Sequence, residues 1–458
     1  MTAPLYDSLQ RFADSDPLRL HMPGHKGRMD GLFRDASSID FTELPPTGNL
    51  YTGEGPIADA EALFARTGGA RDALFFTCGA TQGIYTMLAA AVGRDGTLIL
   101  DRGCHRSVYH GMALLDITPV YLQPPLLPGL GLPAPVSGES LEQALTEHPE
   151  ASAVFLTSPS YYGVITDLRP LAEICRRHSV FLLVDQAHGA HFPFAGLPTA
   201  VEEGADLAVV SAHKTLPALG SSSILYAGHR APWDRLRLKS LAQIFATTSP
   251  SYPILASIDL ARASLEGTED YRDAAALTRE FRERIRRETP FRPLTEEDGI
   301  SLDPCRLTVD TAAGGLSGTE ADRLLREKNI YVEMADPTYL VAIITCRDAH
   351  ADLERFLAAL KVLPAGAPLR QEDGLPPAPV VRQRIRTAVF GPAESVLLRE
   401  AAGRIAAQFV APYPPGIPVI APGEEITEKH IAYLKNKSYN VSGKVSVIPQ
   451  ARKKEDLP

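Results

Sequence analysis

The sequence is poor in the features that mark disulfide-stapled, metal-stapled or membrane-spanning proteins. Its 458 residues include only 5 cysteines and one tryptophan. The cysteines, Cys78, Cys104, Cys175, Cys305 and Cys346, are odd in number, scattered, and form no C-x-x-C pair. That pattern excludes a disulfide framework and a zinc knuckle, and it points to reduced thiols in a cytoplasmic setting. No apolar run approaches the ~20 residues that would span a bilayer. The opening residues, MTAPLYDSLQRFADSDP, lack the basic stretch and apolar core of a secretion signal. A basic excess is missing too: 46 Lys and Arg against 55 Asp and Glu leave a formal charge of -9. This argues against a nucleic-acid surface, which needs clustered cations.

What is present is an ordinary globular composition, 45% hydrophobic and 22% charged, in a chain too long for one core. Two or three units are expected. Leu5, Leu9 and Phe12 recur at helical spacing before Asp16 and Pro17, which predicts a short amphipathic docking helix. From Ala73 onward short apolar runs alternate with helix-like segments: ALFFT at 73–77, TLIL at 97–100, AVFLT at 153–157, VFLLV at 180–184 and LAVVS at 207–211. Runs of this kind predict an α/β fold whose mainly parallel sheet is buried on both faces. Helices are expected over 252–287, and a smaller mixed segment to 363. The Pro- and Gly-rich stretch 364–379 reads as a linker. Beyond it, VLLREAAGRIAAQFV (396–410) predicts an amphipathic helix and IPVI (417–420) a short strand.

Ligands of such sheets bind beyond the carboxyl ends of the strands. Reactive residue types gather there: Cys78 to Thr81 after the first run, Asp101 and His105 after the second, Ser158 and Tyr161 after the third, Asp185 after the fourth, His213 and Lys214 after the fifth. A lysine placed directly after a buried strand is poorly solvated, and desolvation turns an ammonium toward a nucleophilic amine suited to Schiff-base formation. A lysine that reaches solvent is the alternative at this point. Asp185 ends the most apolar strand and needs a partner, which a protonated pyridine nitrogen would supply; a helix-capping aspartate is the other reading. Gly79, Ala80 and Thr81, between a strand and a helix, can offer amides and a hydroxyl to a phosphate.

Together these residues resemble a known family. The segments HMPGHKG (21–27), DRGCHRS (101–107), TSPSYYG (157–163), DQAHGAH (185–191), SAHKTLPAL (211–219), SPSYPILASID (249–259) and PYPPGIPVIAPGE (412–424) are similar to those of the ornithine, lysine and arginine decarboxylases with the aspartate-aminotransferase fold (fold type I). The likeness covers nearly the whole chain and is to the short form, without an N-terminal wing domain. It implies pyridoxal 5'-phosphate (PLP) as cofactor and no metal. It also implies a Schiff base on Lys214, Asp185 at the pyridine nitrogen, and His105 stacked on the ring with Ala187 on its other face. Thr81, Ser211, His213 and the amides of Gly79 and Ala80 would hold the phosphate, Ser158 would approach the ring hydroxyl, and His188 belongs to the same cofactor-binding set. Departures from the family pattern are Gln186, Ala212, Gly103, Arg106 and the Cys78 turn.

By the same resemblance the substrate is a basic amino acid, arginine first and lysine or ornithine open, in polyamine biosynthesis, and the assembly is a homodimer with a shared active site. The implied domains are an N-terminal segment (1–50), a PLP-binding large domain (51–268), a small α/β region (269–363), the linker (364–379) and a C-terminal domain (380–458). Candidates for the acid that reads the substrate's cationic end are Asp40, Glu43, Glu54, Glu424 and Glu425. Three alternatives stay open from sequence: an aminotransferase of the same fold, a catalytically silent PLP-binding relative, and a metal-dependent hydrolase built from Asp185, His188, His191 and His213.

Overall fold

The computed structural model describes residues 2–369, 374–411, 417–436 and 441–450. It comprises two units, Met1–Ala91 with Val154–Leu369 and Val92–Ala153 with Arg370–Pro458.

The first unit opens with the expected helix, Pro4–Asp14, whose Leu5 and Leu9 are buried while Phe12 packs on Phe41. Its first-turn amides are orphans of helix geometry, and a distant carboxylate serves them: Leu5 and Tyr6 donate to Asp259 at 2.9 and 3.3 Å. Burial pushes the Asp259 carboxyl up to about 6 against the pull of those amides. The sheet runs in the order Asp72–Phe76, Ser223–Ala227, Leu207–Val210, Phe181–Asp185, Ala151–Thr157. The last two of the expected runs, now Phe181–Asp185 and Leu207–Val210, lie parallel, with Asp185 aligned to Val209. Ser223–Ala227 runs antiparallel to both neighbours and was absent from the sequence expectation. It makes the sheet mainly, not wholly, parallel.

The helix Gly79–Ala91 covers this sheet closely. A β-carbon at Gly83 would stand 2.5 Å from Val209 Cγ2, so glycine there is what lets helix and strand approach. Helices Tyr252–Leu265 and Asp270–Glu288 follow where the periodicity placed them. The mixed segment then builds its own four-stranded antiparallel sheet, Met334–Ala335, Tyr339–Ile343, Arg306–Asp310 and Arg292–Pro293. Phe281, Ile285, Leu307, Leu340 and Leu357 form a separate core beneath it.

In the second unit Thr97–Asp101 pairs in parallel with Thr118–Leu122. The expected helix over 396–410 is a correction: Glu394–Leu397 is a strand paired antiparallel with Lys444–Val447, Leu398–Glu400 is one 3-10 turn, and Ala406 and Val410 pair singly with Val447 and Ile420. The apolar spacing was helical, yet long-range pairing overrides local propensity, and Gly403 at φ +76 interrupts the run. The strand expected at IPVI reduces to the single pairing at Ile420. Residues 412–416 of the proline-rich motif, like 370–373 of the linker, lie outside the described residues. Leu398, Val410, Ile420, Leu434 and Val445 form the core of this unit.

Beside that core lies a buried ion pair. The Arg102 guanidinium donates to both oxygens of Glu424, at 2.7 and 2.8 Å, and to the Val419 carbonyl at 3.0 Å, and it rests 4.6 Å from the Tyr121 ring centroid. Removing one partner leaves an uncompensated buried charge. Glu424→Leu is therefore expected to cost about 3 kcal/mol, read as a lower denaturant midpoint; an unchanged midpoint would show the pair to be energetically idle.

Candidate active site

Lys214 sits in the short turn Ala212–Thr215, directly after the buried strand Leu207–Val210. Its amine lies 3.2 Å from His188 Nε2 and 5.7 Å from the Tyr161 ring centroid. Burial pushes Lys214 below an ordinary lysine; Asp185 and Glu333 oppose the shift and Arg306 reinforces it. Asp185 closes the adjacent parallel strand, so two side-by-side strands deliver an amine and a carboxylate to one sheet edge. Its Oδ1 accepts the Ala187 amide at 3.0 Å. Burial raises the Asp185 carboxyl, while the Lys214 charge and the Ala187 amide pull it down.

His188 stands between Lys214 and Arg306. Its Nε2 meets Lys214, its Nδ1 lies 3.1 Å from Arg306 Nη2, and its ring tilts against Tyr161 with centroids 4.7 Å apart. Arg306 heads the strand Arg306–Asp310 with a fully buried side chain, and its Nε and Nη1 find no partner among the described residues. Asp303 lies 3.8 Å from Arg306 Nη2 and accepts from His191 Nε2 and the Cys305 amide, both at 2.9 Å. Burial alone would raise the Asp303 carboxyl, but His191 and Arg306 outweigh it and hold it low.

The phosphate turn is built around Gly79 at φ +72, a conformation that favours glycine. Its amide donates to the Ser221 carbonyl at 2.8 Å, and His213 Nδ1 donates to the next carbonyl, Ser222, at 2.9 Å. Adjacent carbonyls thus join the turn to the residue before Lys214. Ala80 and Thr81 lie in the first turn of Gly79–Ala91, where amides have no partner within the helix and favour an anion. The Ser211 amide donates to the Ala187 carbonyl, and Ser158 Oγ accepts from the Thr166 amide at 3.1 Å.

Residues 3–295 match the family model described as Orn/Lys/Arg decarboxylase, major domain, and residues 376–440 match the C-terminal domain model of the same family. The chain belongs to the Orn/Lys/Arg decarboxylase family. It is 34% identical to the arginine decarboxylase of Bacillus subtilis (strain 168) over 456 residues, covering 94% of this chain and 92% of that one. It superimposes on a Francisella novicida lysine decarboxylase with a TM-score of 0.80 at 20% identity, covering 98% of this chain and 81% of the other. A structure of SPT with PLP shares the fold less closely, with a TM-score of 0.53 at 19% identity over 67% of this chain and 75% of that one.

Within this Orn/Lys/Arg decarboxylase the donor set suits PLP: a lysine biased toward the free amine, a buried carboxylate one strand away, and a helix start whose Ala80 and Thr81 amides have no partner within the helix, joined through Ser221 and Ser222 to His213. In the second unit His105 caps the helix Arg106–Leu115, with Nδ1 2.7 Å from Ser107 Oγ. Among the departures, Gln186 is buried and accepts the Ala200 amide at 3.1 Å, so it acts as framework, and the Gly103 amide donates to Asp101 at 2.8 Å. Glu424 is consumed by Arg102, Glu425 pairs with Arg382 and Asp40 with His25, which removes three of the acids expected to read a cationic substrate. Sequence reasoning missed Glu333, Arg306 and Asp303. A signal existed for Arg306, a charged residue at the head of the apolar run RLTVD. The four residues of the hydrolase alternative are not assembled: His188 serves Lys214 and Arg306, His191 serves Asp303, and His213 serves a carbonyl. His191, Asp303 and Cys305 converge as well, with His191 Nε2 and the Cys305 amide both bonded to Asp303.

Proposed function

We propose that this enzyme is a PLP-dependent carboxy-lyase acting on a basic amino acid, arginine first, and that Lys214 carries the cofactor. The observation that supports it most is the pairing, at one sheet edge, of a lysine biased toward the free amine with the buried Asp185. Bound PLP supplies an electron sink for the bond between the alpha carbon and the carboxylate. The chain's own residues do the rest. Asp185, fixed by the Ala187 amide, would face a cationic ring nitrogen. Ala80, Thr81, Ser211 and His213 would hold the phosphate, Gly79 would shape the turn while its amide is given to Ser221, and Ser158 would face the ring hydroxyl. The ring stack of His105, the homodimer with a shared site, the cytoplasmic setting and a role in polyamine biosynthesis join the proposal on family resemblance. Exposed Leu18, Leu20, Leu32 and Phe33 in the first unit fit a subunit contact. Among the described residues no helix is long and apolar enough to cross a membrane.

Separate incubations with arginine, lysine and ornithine, scoring amine and carbon dioxide, test the reading. Agmatine and carbon dioxide from arginine are expected. Conversion only in the presence of a keto acid, without carbon dioxide, would make the protein an aminotransferase, and PLP binding without turnover a silent relative.

Glu333 is the acid that fits the cationic end of the substrate, since its carboxylate already favours the charged forms of both Lys214 and Arg306. Glu333→Gln is expected to raise KM for arginine by roughly 10- to 100-fold, the range of one charge-assisted hydrogen bond, with a smaller change in kcat. A KM within twofold of the parent enzyme would remove Glu333 from substrate binding.

A further inference from the structure

The hydrogen bonds around Lys214 run in one direction. Arginine carries only donors, so where Arg306 Nη2 meets His188 Nδ1 at 3.1 Å, the ring nitrogen must accept. An imidazole whose Nδ1 accepts is neutral and carries its hydrogen on Nε2. That Nε2–H faces the Lys214 amine at 3.2 Å, and there the amine must accept in turn. Only an unprotonated amine has the lone pair to do so. An ammonium in the same place would set N–H against N–H.

We propose that Arg306 is a positioning residue that fixes the tautomer of His188 and so keeps Lys214 as the free amine, the form able to bond to the cofactor's aldehyde. The proposal rests on the reading of Lys214 given above. Two acids face the amine from other elements, Asp185 from the neighbouring strand and Glu333 from the segment before Met334–Ala335, and both favour the ammonium. Tyr161 lies over it without a formal charge. The donor relay from Arg306 therefore works against Asp185 and Glu333, on the same side as burial.

Arg306 is built into this position. A β-carbon at Gly163, whose φ is +88, would stand 2.6 and 2.7 Å from Cγ and Cβ of Arg306, so glycine leaves room for the stem. Asp303, anchored by His191 and the Cys305 amide, lies 3.8 Å from Nη2. Two further guanidinium nitrogens, Nε and Nη1, have no partner among the described residues, which makes the placement costly for the core, a cost that a purely structural side chain such as methionine would avoid.

The test uses full-length protein cleared of PLP and labelled with nitrogen-15 in its histidine rings. The parent protein should show His188 with hydrogen on Nε2 and a bare Nδ1, and Arg306→Met should move the hydrogen toward Nδ1. In parallel, the pH dependence of Lys214 acylation, followed by mass spectrometry, should move up by about one unit in Arg306→Met, a tenfold loss of free amine at a given pH. Arg306→Lys, whose ammonium also only donates, should keep the parent profile. Hydrogen on Nδ1 in the parent protein, or an acylation profile unmoved by Arg306→Met, overturns the proposal. Should Arg306→Met not fold, the parent ring spectrum alone decides. Borohydride reduction of the PLP-loaded protein reports separately whether Lys214 bonds to the cofactor. Failure there, with hydrogen found on Nε2, would remove the proposed function and leave the relay standing.

Discussion

Lys214→Ala is expected to lower kcat/KM for arginine by about 10⁴-fold or more, equivalent to at least about 5.4 kcal/mol of transition-state stabilisation. The size follows from what the side chain combines. It is the amine beside Asp185, it is biased away from the ammonium by burial, and it meets His188 Nε2 at 3.2 Å. Alanine removes the nucleophile and leaves the anion turn and Asp185 in place, so PLP should still bind, though without a covalent link. Steady-state kinetics, together with borohydride trapping that should label the parent chain at position 214 and leave the variant unlabelled, checks both halves. Turnover within tenfold of the parent would end the proposed mechanism.

The next largest effect is expected from Asp185→Asn, a fall in kcat of about 10³-fold, near 4.1 kcal/mol. Asparagine keeps the shape and can still accept the Ala187 amide, but it carries no charge to hold a protonated ring nitrogen. The same substitution removes the largest influence that favours the Lys214 ammonium. The acylation profile of Lys214 should therefore move to lower pH, opposite in sign to Arg306→Met. A variant that kept kcat within tenfold, or one whose lysine became harder to acylate, would show that Asp185 is not the electrostatic partner assumed here.

The site was legible in sequence where chemistry followed a strand directly. Lys214, Asp185 and the Gly79 turn each come immediately after a buried apolar run, and a parallel sheet sends such ends to one edge. Arg306, Asp303 and Glu333 escaped because Arg306 heads a short strand of the smaller segment's antiparallel sheet and the other two lie in the turns beside its strands, so their approach to Lys214 depends on tertiary placement. His188 was read within its motif, but its partners could not be, since Arg306 is 118 positions away. The fold shows the same division. Five apolar runs gave five strands, whereas Ser223–Ala227 escaped notice and the segment after Glu394 turned from expected helix to strand because its partners at 444–447 lie about fifty residues downstream.

The pair between Arg102 and Glu424 carries a consequence for how the protein is made. The two residues are 322 positions apart. At about 5 to 20 residues per second a ribosome needs about 16 to 64 s to travel from one codon to the other. Throughout that interval the nascent chain holds a guanidinium without its counter-ion, so the second unit can reach its final packing only after residue 424 has been made. A chain interrupted before residue 424 would then feel the loss at residue 102, more than three hundred positions upstream.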